Sequence, residues 1–97
     1  MNTVRTETNL YKGIYVMDTL KINLLKQIGL SLRLARKSAG LSRVNAAKAL
    51  NLSEYTLYAY ETGKREITSD ICINMADLYG TTLENLTKYK EIAKQIS

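Results

Sequence analysis

The sequence predicts an all-α fold of five helices, because helix stops and helix caps divide it at regular intervals. It contains no proline, the residue that breaks helices most strongly. Gly40, Gly63 and Gly80 each follow a segment with apolar residues at helical spacing, and glycine most easily takes the left-handed turn that ends a helix. A chain of 97 residues that is 45% hydrophobic can bury one helical core, which favours a single folded domain.

The first helix is predicted from an apolar repeat that begins at Leu24 and ends at Gly40. Asp18 or Thr19 offers an earlier capping position, so this helix is either longer than the core requires or broken near Gly29. We assign residues 24–87 to the folded domain, residues 1–23 to an N-terminal extension and residues 88–97 to a C-terminal tail.

The second and third helices are predicted to be short and joined by a tight turn. Ser42 and Ser53 are the expected N-caps, because a serine hydroxyl accepts a hydrogen bond from a free backbone N–H at a helix start. Asn51 lies between them and suits a left-handed backbone. The third helix is expected from about Glu54 to Thr62.

Two further helices complete the predicted domain. Thr68 or Ser69 caps the fourth, which ends at Gly80, and Thr82 caps the fifth. An apolar stripe predicts that the fifth helix continues into a helical tail. The stripe consists of Leu86, Tyr89, Ala93 and Ile96.

The N-terminal extension is predicted to be different from the rest. The segment from Asn9 to Met17 is rich in β-prone residues that alternate imperfectly between polar and apolar. It therefore predicts a short strand or an ordered arm.

The composition argues against several classes of function. The chain has no histidine and a single cysteine, Cys72, so the common metal sites, acid-base pairs and internal disulfides lack their residues. We expect no enzyme activity, no metal and no cofactor. No segment is apolar enough to span a membrane, and the first residues do not resemble a secretion signal, so we expect a cytoplasmic protein.

The positive charge is concentrated in the middle third of the chain. Residues 33–65 hold seven basic residues against two acidic ones, whereas residues 66–97 are net negative. Such a basic segment favours a polyanionic partner such as nucleic acid, although a solvated surface would show the same charge.

Two short helices joined by a tight turn form a helix-turn-helix pattern. Ala47 allows the helices to approach, Asn51 reverses the chain and Leu57 fixes the third helix. With these and the three glycine stops in register, residues 28–86 resemble the lambda-repressor-like (XRE) helix-turn-helix domain without a gap. The other matching residues are Gly29, Leu32, Arg33, Arg36, Leu41, Ser42, Leu50, Ser53, Tyr60, Glu61, Lys64, Ala76 and Leu86.

This resemblance implies that double-stranded DNA contacts the start of the second helix and the outer face of the third. It also implies that the loop after Gly63 follows the phosphates. Arg36 and Glu61 resemble the family's buried ion pair, which orients two helices more than it stabilises them. The predicted DNA-binding residues are Arg43, Ser53, Glu54, Tyr55, Thr56, Tyr58, Ala59, Lys64 and Arg65.

Several of these residues have a second interpretation. Arg43 opposes the dipole of its helix, which indicates either an anionic partner or a solvated side chain. Glu54 either accepts a hydrogen bond from a cytosine amino group or stabilises its own helix start. Tyr58 either faces DNA or packs on a neighbouring helix. Lys64 and Arg65 either bind phosphates or interact with the end of the third helix.

The resulting hypothesis is a sequence-specific, DNA-binding transcriptional regulator, a dimeric repressor of phage, plasmid or mobile-element type. The alternative is an antitoxin-type protein that binds a toxin partner and autoregulates its operon. Binding to single-stranded nucleic acid or RNA is a third possibility.

Two leucines of the first predicted helix point to a further contact. Leu30 and Leu34 hold positions that are normally polar in the XRE family, and they lie one helical turn apart. We expect the N-terminal segment, with Leu10, Ile14 and Val16, to cover them on its own subunit or on a partner. The C-terminal stripe is the competing surface for a homodimer.

Overall fold

The computed structural model describes the backbone of residues 4–86 and the side chains of residues 19–86. This part of the chain is helical and contains no strand, which confirms the all-α prediction. The fifth helix, α5, begins at residue 83 and is described to residue 86. The first four helices are α1 (Val4–Ser38), α2 (Arg43–Leu50), α3 (Glu54–Glu61) and α4 (Ser69–Tyr79).

The N-terminal segment belongs to α1. The short strand or arm predicted for Asn9 to Met17 is wrong, because these residues are helical and continuous with the first domain helix. A single glycine inside a helix costs only about 1 kcal/mol, so neither Gly13 nor Gly29 breaks it. The 35 residues of α1 form a rod about 52 Å long.

The continuity of α1 also corrects the expected docking of the N-terminal segment. A helical segment cannot fold back onto a later part of the same helix. The segment containing Leu10 and Ile14 therefore does not cover Leu30 and Leu34 of its own subunit. Both leucines are exposed in the structure.

The turns and caps form where the sequence predicts them. Ser42 accepts a hydrogen bond from the backbone N–H of Asn45, at 3.1 Å, and Ser53 accepts one from Thr56, at 3.0 Å. Thr68 caps α4, and the N–H of Asn85 donates to the Thr82 hydroxyl at 3.1 Å. The left-handed residues between the helices are Gly40, Asn51, Gly63 and Gly80.

The core lies between α1, α2, α3, α4 and the start of α5. Its most completely buried side chains are Leu32, Leu57, Met75, Leu86 and Cys72. Cys72 is thus a core residue. None of the described helices is long and apolar enough to cross a membrane. The predicted C-terminal tail, residues 88–97, lies outside the described residues.

The closest helix contact is between α1 and the end of α3. A Cβ atom at Gly29 would overlap with the backbone carbonyl of Glu61 and lie 2.7 Å from the carbonyl oxygen of Tyr60. A Cβ atom at Gly63 would lie 2.8 Å from the backbone nitrogen of Lys26. Two glycines therefore allow the backbones to approach closely and set the position of α3 against α1.

Tyr79 lies beside the charged part of this core. Its hydroxyl is buried and has no hydrogen-bond partner among the described residues. Burial, together with the negative charge of Glu61, raises the pKa of Tyr79 to about 12, while Arg36 opposes the shift. The tyrosine is therefore neutral near pH 7, and the charge in this region comes from Arg36 and Glu61.

Candidate nucleic-acid interface

The outer face of α3 begins at its N-terminus. Ser53 caps the helix, and its hydroxyl also donates to the Thr56 hydroxyl at 2.8 Å, so both groups are engaged locally. Glu54 is exposed in the first turn, where its charge complements the helix dipole. Tyr55 is the most exposed of the large hydrophobic side chains described, at 63%. Glu54 and Tyr55 are therefore available to an external ligand.

Ala59 does not belong to this face. It is only 2% exposed, so the predicted outward orientation is wrong. The backbone N–H groups of Lys64 and Arg65, in the loop after Gly63, donate to the Ala59 carbonyl at 2.9 and 3.2 Å. Helical spacing alone does not show which positions of α3 the rest of the domain covers.

Tyr58 lies between two cations. Its ring centroid is 5.1 Å from the Arg43 guanidinium carbon and 5.0 Å from the Lys64 ammonium nitrogen. The Tyr55 ring lies 6.2 Å away, tilted by 38°. We call Arg43, Tyr55, Tyr58 and Lys64 the tyrosine-cation cluster. Contacts of this kind stabilise exposed sites by about 0.5–1 kcal/mol, so the cluster orders two cations beside α3.

Arg43 connects the start of α2 to the end of α3. Its Nε atom lies 3.7 Å from a carboxylate oxygen of Glu61 and is buried without a hydrogen-bond partner among the described residues. The sequence left open whether an anionic partner accounts for a cation in the first turn of α2. Glu61 is such an anionic partner within the protein itself. About one third of the Arg43 side chain remains exposed.

Glu61 also forms the ion pair with Arg36 that the resemblance implied. Arg36 Nε donates to one carboxylate oxygen at 2.6 Å and Nη2 donates to the other at 3.0 Å. Arg36 Nη1 donates to the Leu41 carbonyl at 2.9 Å. The hydrogen bond to Glu61 raises the pKa of Arg36 against the effect of burial. The pair joins α1, the corner after it and α3.

Lys64 and Arg65 are exposed on the loop that follows α3. Gly63 starts this loop with a φ of 75°. Because the loop backbone is bonded to the Ala59 carbonyl, both cations are held near the end of α3. This placement is compatible with phosphate contacts and with the helix-dipole interaction.

The first turn of α2 contains two exposed residues that the sequence did not single out. Val44 and Asn45 are both exposed next to Arg43. The signal available in the sequence was Val44, an apolar residue in the first turn after the Ser42 N-cap. Since Arg43 contacts Tyr58, this turn lies beside the tyrosine-cation cluster, and Val44 extends the apolar part of the surface.

Together, α3, the first turn of α2 and the loop after α3 form one surface. It presents the rings of Tyr55 and Tyr58, the amide of Asn45 and the carboxylate of Glu54 beside the cations of Arg43 and Lys64. Such groups read base edges and bind phosphates in nucleic-acid complexes. Among the described residues, no group of three or more histidine, cysteine, aspartate or glutamate side chains could hold a metal ion.

A comparison with known families agrees with this geometry. A family model described as a helix-turn-helix domain matches residues 27–88, nearly two thirds of the chain. No curated protein sequence matches this chain. The matched segment contains α2, the turn at Asn51, α3 and the α1–α3 contact at Gly29. The chain belongs to the helix-turn-helix domain family, in its lambda-repressor-like (XRE) class.

Proposed function

We propose that this protein is a sequence-specific transcriptional regulator that binds double-stranded DNA as a dimer, as a repressor of phage, plasmid or mobile-element type does. Membership of the helix-turn-helix family indicates a DNA-binding regulator. The proposal of sequence-specific binding to double-stranded DNA rests on the outer face of α3. There, exposed Tyr55 lies beside the ordered cations of the tyrosine-cation cluster.

In this proposal, α3 lies in the major groove and its parts have different roles. Glu54 and Tyr55 contact base edges, and the Tyr55 ring suits thymine methyl groups. Lys64 and Arg65 contact phosphates from the loop after α3. Arg43 contacts both Glu61 and a phosphate, so the position of α2 depends on the bound DNA. The proposal requires no catalytic step and no cofactor.

The antitoxin alternative includes the same DNA-binding surface and differs in its protein partner. It stays a prediction of the sequence. A toxin gene beside the gene for this chain, followed by co-purification of the two products, would support it.

The proposal is tested by selecting bound sequences from a random duplex library and measuring affinity at several salt concentrations. Arg33, Lys48, Lys64 and Arg65 are exposed and Arg43 is partly exposed, so up to five cations can displace condensed counterions. We expect a log-log salt slope of roughly −4 to −5 per bound subunit. Failure to enrich any sequence, or affinity that does not change with salt, would contradict the proposal.

Two alanine variants separate the proposed roles on the same surface. Tyr55→Ala should reduce affinity for the selected site by roughly five- to 100-fold and leave random DNA almost unchanged. Lys64→Ala should weaken both duplexes by a similar factor and reduce the salt slope by about one. Competition titrations with both duplexes measure the two effects.

The control for these variants is Ile73→Ala, at an exposed position on α4 away from α3. It should leave both affinities unchanged. If Tyr55→Ala and Lys64→Ala reduce binding to both duplexes equally, Tyr55 does not read bases and the proposed face is wrong.

A further inference from the structure

The outward side of α1 carries residues at the spacing of a coiled coil. Leu20, Asn23, Gln27, Leu30 and Leu34 follow each other at alternating intervals of three and four residues. We call these five residues the α1 seam. All five are exposed, and the three leucines are 39%, 46% and 55% exposed respectively. The same spacing continues to Val16 in the sequence.

The seam faces away from the domain core. The residues of α1 that contact the rest of the domain include Gly29, Leu32 and Arg36, and all three are buried. On a helix of about 3.6 residues per turn, Leu30 and Leu34 lie on the side opposite Leu32 and Arg36. The seam is therefore accessible from Leu20 to Leu34 while the domain is fully folded.

The seam exposes three large hydrophobic side chains, whereas each of the other described helices exposes one. Of the eight large hydrophobic side chains exposed in the described residues, three belong to the seam. Leucines at such positions are the usual contacts of one helix with another. Their occupant cannot be the N-terminal segment of the same chain, since that segment is part of the α1 rod.

The seam is self-complementary when one copy is reversed. Turning α1 end for end about Leu25 puts Leu20 opposite Leu30 and Asn23 opposite Gln27 of a second copy. In sequence register, Leu34 is then opposite Val16. Leucine layers thus flank two central amide pairs, one on each side of Leu25. Asparagine and glutamine side chains each donate and accept, so they can bond across the pair, and polar residues at such positions specify register.

Charge and residue type favour this antiparallel arrangement over a parallel one. In a parallel pair, Lys37, at the next position of the same spacing, would face Lys37 of the second copy. Parallel dimers also favour β-branched residues at the positions held here by Leu20 and Leu34. Reversal places the Lys37 residues of the two copies at opposite ends of the pair, while Lys26, next to Leu25, stays near its counterpart.

We propose that the α1 seam is the dimer interface, on which a second copy of this chain packs in antiparallel orientation. Each copy then contributes the same surface, as in an isologous two-fold dimer. The domains lie on the outer sides of the α1 pair and remain available to DNA. This deepens the dimeric part of the proposed function. Since the interface is tested without DNA, its failure and a failure of DNA binding are distinguishable.

The first test measures the mass of the full-length chain in solution, without DNA, over a range of concentrations. The wild-type protein should sediment as a dimer, and Leu30→Lys or Leu34→Lys should each weaken the dimer at least about tenfold. Ile73→Lys, at an exposed apolar residue off the seam, is the matched control and should remain dimeric. Circular dichroism should show equal helix content in all variants, because none of these residues is in the core.

A monomeric wild-type protein, or a Leu30→Lys, Leu34→Lys double variant that stays dimeric, would overturn the proposal. The orientation is tested by oxidising two variants that each add one cysteine, Leu20→Cys and Leu30→Cys, separately and as a mixture. An antiparallel pair should form the disulfide-linked dimer only in the mixture, whereas linkage of either variant alone would overturn the antiparallel orientation. The wild-type chain controls for Cys72, which is buried.

Discussion

Glu61→Ala should lower the free energy of unfolding by about 3–5 kcal/mol, because it leaves a buried arginine without its counter-ion. Arg36 donates two hydrogen bonds to this carboxylate, at 2.6 and 3.0 Å, and both side chains are almost completely buried. Arg43 lies 3.7 Å from the same group and would lose its anionic neighbour too. For a domain of this size the loss corresponds to a fall in Tm of at least about 12 °C.

Chemical denaturation monitored by circular dichroism measures this loss. Glu61→Gln keeps one of the two acceptor oxygens but replaces the other with an NH2 group and removes the charge, so its stability should lie between that of the wild-type and that of Glu61→Ala. Glu54→Ala, at the exposed start of the same helix, should cost less than about 1 kcal/mol. If Glu61→Ala and Glu54→Ala have similar effects, the buried pair does not determine how α3 packs on α1.

Local signals in the sequence predicted most of the fold. A serine before a helix and a glycine after it act through hydrogen bonds and φ angles that involve few neighbouring residues. Ser42, Ser53, Gly40 and Asn51 therefore have the structural roles that the sequence indicates. The Arg36–Glu61 pair followed from the family resemblance, since no local rule joins residues so far apart in the chain.

The errors arose where distant parts of the chain meet or where a local preference is weak. Ala59 is only 2% exposed in the folded domain, whereas helical spacing within α3 placed it on the outer face. The β-prone residues before Met17 are helical because β propensity depends on cross-strand neighbours that this segment lacks within the described residues.

Arg43 shows how packing changes the meaning of a predicted binding residue. Sequence position alone made it an outlier that opposes its own helix dipole. In the structure its Nε atom lies 3.7 Å from Glu61, which is also paired with Arg36, and its guanidinium lies over the Tyr58 ring, so its charge has internal partners. A phosphate that binds Arg43 would therefore compete with Glu61, and the contact would depend on how α2 and α3 are held together.

Gly29→Ala should destabilise the protein by about 3 kcal/mol, although alanine favours an ordinary exposed helix by about 1 kcal/mol over glycine. The added Cβ atom would overlap with the Glu61 carbonyl and lie 2.7 Å from the Tyr60 carbonyl oxygen. Both neighbours are backbone atoms, so α3 must move away from α1 and strain the ion pair that joins them. Such a loss should lower Tm by roughly 12–24 °C.

The matched control for Gly29→Ala is Gly40→Ala, where the added Cβ atom has no neighbour within 4 Å. Gly40 has a φ of 74°, so this substitution should cost only the left-handed penalty of roughly 1–2 kcal/mol. Thermal melts of the two variants and the wild-type compare close packing with backbone strain. A Gly29→Ala variant that is as stable as the wild-type, or more stable, would show that α1 and α3 do not pack at the described distance. A larger loss of stability for Gly29→Ala than for Gly40→Ala would support the close contact between α1 and α3. This contact fixes the position of the outer face of α3 relative to the α1 seam.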